Sequence, residues 1–361
     1  MVKSTKVWTV PLGEQVNKTI PPAKLTVAML ISKIFGIFPF NELSELSTFW
    51  FVEAIVIRII ELIMVSISFY FCIQLIIQDR VKTLYLLLFV NTCTLFTTNL
   101  HLVSFYRNRK KWQIIVYSNK SHYHRKSDIY FYIDLIRIII QFLINFSLFR
   151  LNKHYDFLTI RMCLHYAGFI DSIVINNFCG KLEILTKQMR TIDREIIKAK
   201  YFKVIIPTKL KQLAKRQNYL IDLAQNINNI FAIQNLIIYS RSIIGFICVT
   251  YEVIRISATL NIQSKQSFTS GVLEVLSYFG NILSTVYFCE QFSEEVENVH
   301  QQLFSTINKN LGTDINEEIH LHCVMNRNVK FTAGGCFNLD YALVVSVIGT
   351  TITYIVILLQ L

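Results

Sequence analysis

From Tyr341 to Leu361 the chain runs for about 21 residues without a charged side chain. At 1.5 Å per residue, a helix of that length crosses a hydrocarbon layer of roughly 30 Å. No other feature restricts the fold so much, because a backbone in lipid must satisfy its own hydrogen bonds as a helix or a closed barrel. The rest of the sequence repeats the message. It is 53% hydrophobic, contains 27 Phe, and only 17% of its 361 residues are charged. That composition describes one membrane-embedded unit rather than the two or three soluble domains its length would otherwise suggest.

Hydropathy places seven spans at about 49–77, 83–105, 129–150, 155–180, 229–256, 270–292 and 336–361. The expected fold is therefore an all-α membrane protein with seven transmembrane helices. No secretory leader is read in Met1 to Lys24, so the first span is expected to act as its own insertion signal. Residues 25–40, which include Phe35-Gly-Ile-Phe-Pro39, are apolar but too short to span. They read as a helix lying along the inner membrane surface within a cytoplasmic segment, 1–48.

The distribution of Lys and Arg sets the expected orientation. Segments 1–48, 106–128, 181–228 and 293–335 hold 26 of the 36, whereas the alternate segments and their span edges hold about six. Basic residues concentrate on the cytoplasmic side. The N-terminus is thus expected inside and the C-terminus outside, the reverse of a G-protein-coupled receptor, whose Asp-Arg-Tyr and Asn-Pro-x-x-Tyr motifs are missing. The net charge of +12 is accounted for by these loops facing anionic headgroups, and it implies membrane lipid rather than nucleic acid as partner. Eight Cys without Cys-x-x-Cys spacing read as small buried hydrophobes.

Two stretches beyond the spans carry helical periodicity. Leu182, Leu185, Met189, Ile192 and Ile196 step by 3 and 4, as coiled-coil seams do. After Pro207 the pattern restarts through Leu210, Leu213, Gln217, Leu220, Ala224, Ile227 and Phe231, and Val296, Val299, Leu303 and Ile307 extend the sixth span. Such seams close either within one protomer or between subunits. Asp314 with Glu317 suggests a capping box in the following segment.

The sequence offers no phosphate-cradling Gly loop, no His-Glu-x-x-His and no Cys/His metal spacing, so it points to no enzyme, cofactor or metal. Charges within spans, among them Glu53, Arg58, Glu61, Asp134 and Arg137, are expected to face the bundle interior, mostly as packing ion pairs. A ligand pocket is better served by the outer halves of the spans. These collect Asn145, Arg161, His165, Tyr251, Glu274 and Tyr278, with Tyr70, Gln141, Tyr166 and Glu252 nearby. Aromatic walls with a few polar groups suit a small molecule. In the last span Thr353, Ile357 and Gln360 follow i, i+4, i+7 spacing and share one helix face.

Phe331-Thr-Ala-Gly-Gly-Cys-Phe337, Leu339, and then Thr353-Tyr354, five apolar residues and Gln360 resemble the C-terminal signature of insect gustatory receptors. Leu361 stands where that family ends in Phe, which keeps an apolar end without the aromatic ring. The resemblance implies a tastant-gated, nonselective cation channel in the plasma membrane of chemosensory neurons, with bitter compounds as the default ligand class. It implies tetramers, homomeric or with other gustatory receptor subunits, joined through inner helices (293–335 as anchor) and the last helix. It also implies a ligand site in the outer bundle of each subunit, 49–292, and a pore lined by 336–361, with Gln360 at its narrow outer end, Ile357 as an apolar constriction, and Thr353 and Leu361 beside them. Gly334-Gly335 would break the last helix into inner and spanning halves. The alternatives are a secondary transporter, or a seven-helix receptor signalling without its own pore.

Overall fold

The computed structural model describes residues 48–77, 92, 126–152, 155–201, 207–257, 262–310 and 329–360. Six helices follow in order: α1 (Thr48–Ile77), α2 (Lys126–Asn152), α3 (Tyr155–Tyr201), α4 (Pro207–Ser257), α5 (Ile262–Asn310) and α6 (Tyr341–Gln360). Between α5 and α6 a two-stranded antiparallel hairpin pairs β1 (Thr332–Ala333) with β2 (Phe337–Asn338). The span expected at 83–105, the surface helix at 25–40 and the capping box at Asp314 lie outside the described residues.

Three of these helices are far longer than a membrane crossing requires. With 47, 51 and 49 residues, α3, α4 and α5 each extend about 70–77 Å. Pro207 opens α4 at a first-turn position, where its missing N–H removes no helical bond. Among the described residues, Thr208–Ser257 and Phe268–Ile307 contain stretches apolar and long enough to cross a membrane, and Tyr341–Ile357 is a shorter apolar helix.

The core sits where α3, α4 and α5 pack on one another. Every seam position read from the sequence is in it: Leu182, Leu185, Met189, Ile192 and Ile196 are at 0% exposure, with Ala224, Ile227, Phe231 and Val299. These residues are covered by the chain's own helices. The seam therefore closes within one protomer, and any subunit contact has to use outward-facing positions instead. Gln217, the one polar member, is satisfied by donating from Nε2 to the Val296 carbonyl across the seam at 3.3 Å.

The last span differs at its start from the sequence expectation. Helix begins at Tyr341 rather than at 336, and Gly334 and Gly335 form the hairpin turn at φ +59° and +75°. Before that turn, residues 329–331 have no regular structure and Thr332–Ala333 are β, so none of them is helical. Two successive positive φ values reverse the chain, and glycine adopts them without the Cβ clash other residues meet. Asp340 then caps α6, its Oδ1 accepting from the Leu343 N–H at 3.1 Å.

Candidate functional site

In their spanning halves α3, α4 and α5 carry a buried polar layer. Arg241 of α4 donates from Nη1 to Oδ2 of Asp171 on α3 at 2.7 Å, with the arginine at 0% exposure and the aspartate side chain at 4%. His165, six residues away on α3, places Nε2 3.6 Å from Oε1 of Glu274 on α5. An ion pair as deeply enclosed as Arg241–Asp171 is tolerated because each partner offsets the other's desolvation.

Tyr278 comes four residues after Glu274 on α5, and its ring lies directly on Gly245 of α4. A Cβ at Gly245 would meet the Tyr278 ring at 2.7 Å. Gly245 is in turn one turn beyond Arg241, so one face of α4 presents a cation and then a seat for an aromatic ring. Phe246 stacks on Phe279 at 5.7 Å beside them, supplying an apolar wall. Gln141 of α2 closes one side, donating from Nε2 to the Ser270 carbonyl at 3.4 Å and accepting from Arg137 Nη1 at 2.5 Å. An imidazole, a carboxylate and a phenol beside aromatic rings are the groups that orient a small, mainly apolar molecule.

Of the ligand residues expected from sequence, His165, Glu274 and Tyr278 meet around this layer. Tyr251 is half-buried further along α4, and Glu252 is drawn into a surface pair with Arg255 at 3.1 Å. Tyr70 stays on the outer face of α1 at 58% exposure, accepting a bond from Gln74. Asn145 and Arg161 belong to α2 and α3, and their side chains lie outside the described residues, as do those of Arg58, Glu61 and Asp134. The sequence reading passed over Asp171 and the Gly245 seat. Opposite charges inside two separate spans were the available signal for the first; nothing in spacing marks the second.

On α6, Val344, Val347 and Thr351 are buried on the side facing α4 and α5. Thr353, Ile357 and Gln360 lie on another side and are exposed in the single chain, Ile357 at 46%. Leu361 is outside the described residues.

The family model described as 7tm Chemosensory receptor matches residues 25–361. The chain belongs to the 7tm chemosensory receptor family. Membership makes it a multi-pass membrane receptor rather than an enzyme.

Putative gustatory receptor 28b of Drosophila melanogaster is 26% identical over 165 residues, which is 43% of this chain. The match spans 34% of that receptor's length. Among solved structures, the insect olfactory receptor OR5 from Machilis hrabei superposes with a TM-score of 0.70, and its complex with eugenol with 0.68. Both are 12% identical in sequence, and the alignment covers 92% of this chain and 96% of theirs. At that identity the likeness is one of fold, and it extends over nearly the whole chemosensory receptor.

Proposed function

We propose that this chemosensory receptor is a gustatory subunit of a ligand-gated, nonselective cation channel in the plasma membrane of sensory cells. A small tastant, bitter compounds being the default class, enters the outer bundle near His165, Glu274 and Tyr278. Asn145, Arg161 and Tyr251 are the further contacts. The N-terminus lies in the cytoplasm and the C-terminus outside, as the basic loops suggest. Four subunits, of this chain or of relatives, surround a pore lined by α6. Their outward faces meet through the inner extensions, since the seam itself is filled.

The observation that carries this reading is that α6 packs on its own chain mainly by the strip Val344, Val347 and Thr351, leaving most of its remaining surface exposed, with Thr353, Ile357 and Gln360 as well as Val345, Ile352, Tyr354 and Val356. Around a fourfold axis that exposed surface would be shared between a conduit, faced by Thr353, Ile357 and Gln360, and the neighbouring subunits. A ring of Gln360 amides offers oxygen ligands without fixed charge, and a ring of Ile357 gates by dewetting. The ligand opens the pore only to the extent that it prefers the open state. That the related-fold OR5 was solved with eugenol supports a small, largely apolar ligand.

The test is ionic current in cells expressing this chain with candidate partner subunits, under a mixed tastant panel. Gln360→Ala and Ile357→Ala are compared with the parent. Altered permeability in the first and raised basal current in the second are expected. Evoked currents indifferent to both substitutions would remove α6 from the pore wall.

A further inference from the structure

The segment Val329–Asp340 joins α5 to α6, and the structure ties it down along its length. Phe331 is buried between Phe178 of α3 at 6.4 Å and Phe292 of α5 at 5.9 Å, both edge to face. The Val329 carbonyl accepts from Ser293 Oγ of α5 at 3.2 Å. From there the hairpin lies against α4. The Thr332 N–H donates to Asn228 Oδ1 at 3.2 Å, Gly334 sits where a Cβ would meet the Leu236 side chain at 2.8 Å, and Phe337 packs on Tyr239 at 6.3 Å. A Leu339 N–H bond to the Phe331 carbonyl at 2.9 Å locks the base of the hairpin, and Asp340 caps α6 one residue later. The foot of α6 thus hangs from an element held by α5 at its start and by α4 along the hairpin, and the Tyr341 N–H also reaches Glu290 Oε1 of α5 at 3.4 Å.

The same α4 carries Arg241 and Gly245 in the polar layer, with Arg241 only two residues beyond Tyr239. On the hairpin side of α4, Asn228, Phe231, Asn235 and Tyr239 recur at steps of 3 and 4, so they share a face. Asn228 is engaged with the hairpin backbone. Asn235 is at 0% exposure, and neither its Nδ2 nor its Oδ1 has a hydrogen-bond partner. A fully enclosed amide with both ends idle is rare in native structures, because it has lost water and gained nothing in return.

We propose that the hairpin is the element by which displacement of α4 at the polar layer reaches α6, and that Asn235 is a positioning residue in it. In the conformation described here Asn228 holds the hairpin. In the other, the hairpin shifts against α4 and Asn235 takes a bond from its backbone. The inference concerns movement within one chain and does not require that the chain conduct ions, so it can fail or succeed separately from the channel reading.

The experiment uses the full chain in membrane vesicles with Cys336→Ser, since Cys336 is exposed at the hairpin turn. Two reporters are introduced separately: Ala333→Cys, at 0% exposure in the hairpin, and Val344→Cys, at 7% in the first turn of α6. Their reaction rates with a membrane-permeant maleimide are read site by site by mass spectrometry. Loss of one backbone hydrogen bond in Asn228→Ala should raise labelling at both reporters by roughly three- to tenfold. Asn228→Asp, which keeps the acceptor, should restore the parental rates. Asn235→Leu, which removes the second seat, should lower both. Faster labelling at 333 with 344 unchanged would overturn the coupling. Rates at both reporters indifferent to Asn228→Ala would overturn the docking, and Asn235→Leu behaving as the parent would overturn the role of Asn235.

Discussion

Replacing Asp171 by Ala removes the carboxylate that stands 2.7 Å from the Arg241 guanidinium at the centre of the bundle. At an effective dielectric constant near 20, two unit charges at that distance attract by about 6 kcal/mol. Desolvation of both groups consumes much of this, which is why an enclosed pair adds little net stability over apolar residues of equal volume. Taking away one partner is different: it leaves the other charge enclosed, at a typical cost of about 3–5 kcal/mol. Asp171→Ala should therefore lower the apparent Tm of the detergent-solubilised chain by on the order of 5–10 °C. The double variant Asp171→Leu with Arg241→Met should recover more than half of that loss. Fluorescence-detected size-exclusion after a temperature series measures all variants, and the double-mutant cycle isolates the pair's coupling. Additive losses, or a single variant as stable as the parent, would refute the claim that this pair carries the polar layer.

Gly245→Ala places a methyl group 2.7 Å from the Tyr278 ring and should displace it, at about 1–3 kcal/mol of overpacking, with the half-activating tastant concentration moving by roughly tenfold. Dose–response currents report the shift, and an unchanged curve would put Tyr278 outside the site. Leu185→Ala empties a seam position at 0% exposure and should destabilise the chain by about 2–5 kcal/mol, whereas Ile197→Ala, on the outward face at 46%, should leave chain stability nearly unchanged. Thermal stability of the two variants distinguishes them. Asp340→Ala deletes the cap of α6 and should cost about 0.5–2 kcal/mol, seen as faster amide exchange confined to the first turn of that helix.

Much of the architecture was legible in advance because lipid permits few options. Long charge-poor runs must be helices, and six of the seven spans correspond to described helices. The 3–4 periodicity within residues 182–231 picked out positions that are all buried, although on α3 the neighbouring Lys181, Glu183 and Ile184 are buried as well, because that helix is packed on every side there. The residues before Tyr341 were harder. A Gly-Gly pair signals a break in helix, but it does not reveal that extended strands flank it, because local propensity for two-residue strands is negligible without α4 to lie on. Within the candidate site, His165, Glu274 and Tyr278 were recognisable as polar or aromatic groups in outer half-spans. Tyr70 looked equivalent in sequence and faces outward, a difference set by the rotation of α1.

By itself, then, the sequence determined the membrane-helical class, the resemblance to gustatory receptors and the seam positions of the long helices. Each follows from hydrophobic periodicity or from a contiguous motif, and both are properties of residues near one another along the chain. Only the tertiary structure decided that Asp171 meets Arg241 across 70 positions, that Gly245 seats Tyr278, and that the seam closes inside one protomer. It alone hung the foot of α6 from α4 and α5 through a hairpin. Those outcomes depend on how helices rotate and slide against one another, which is fixed by the summed packing of whole faces and not by any single stretch of residues.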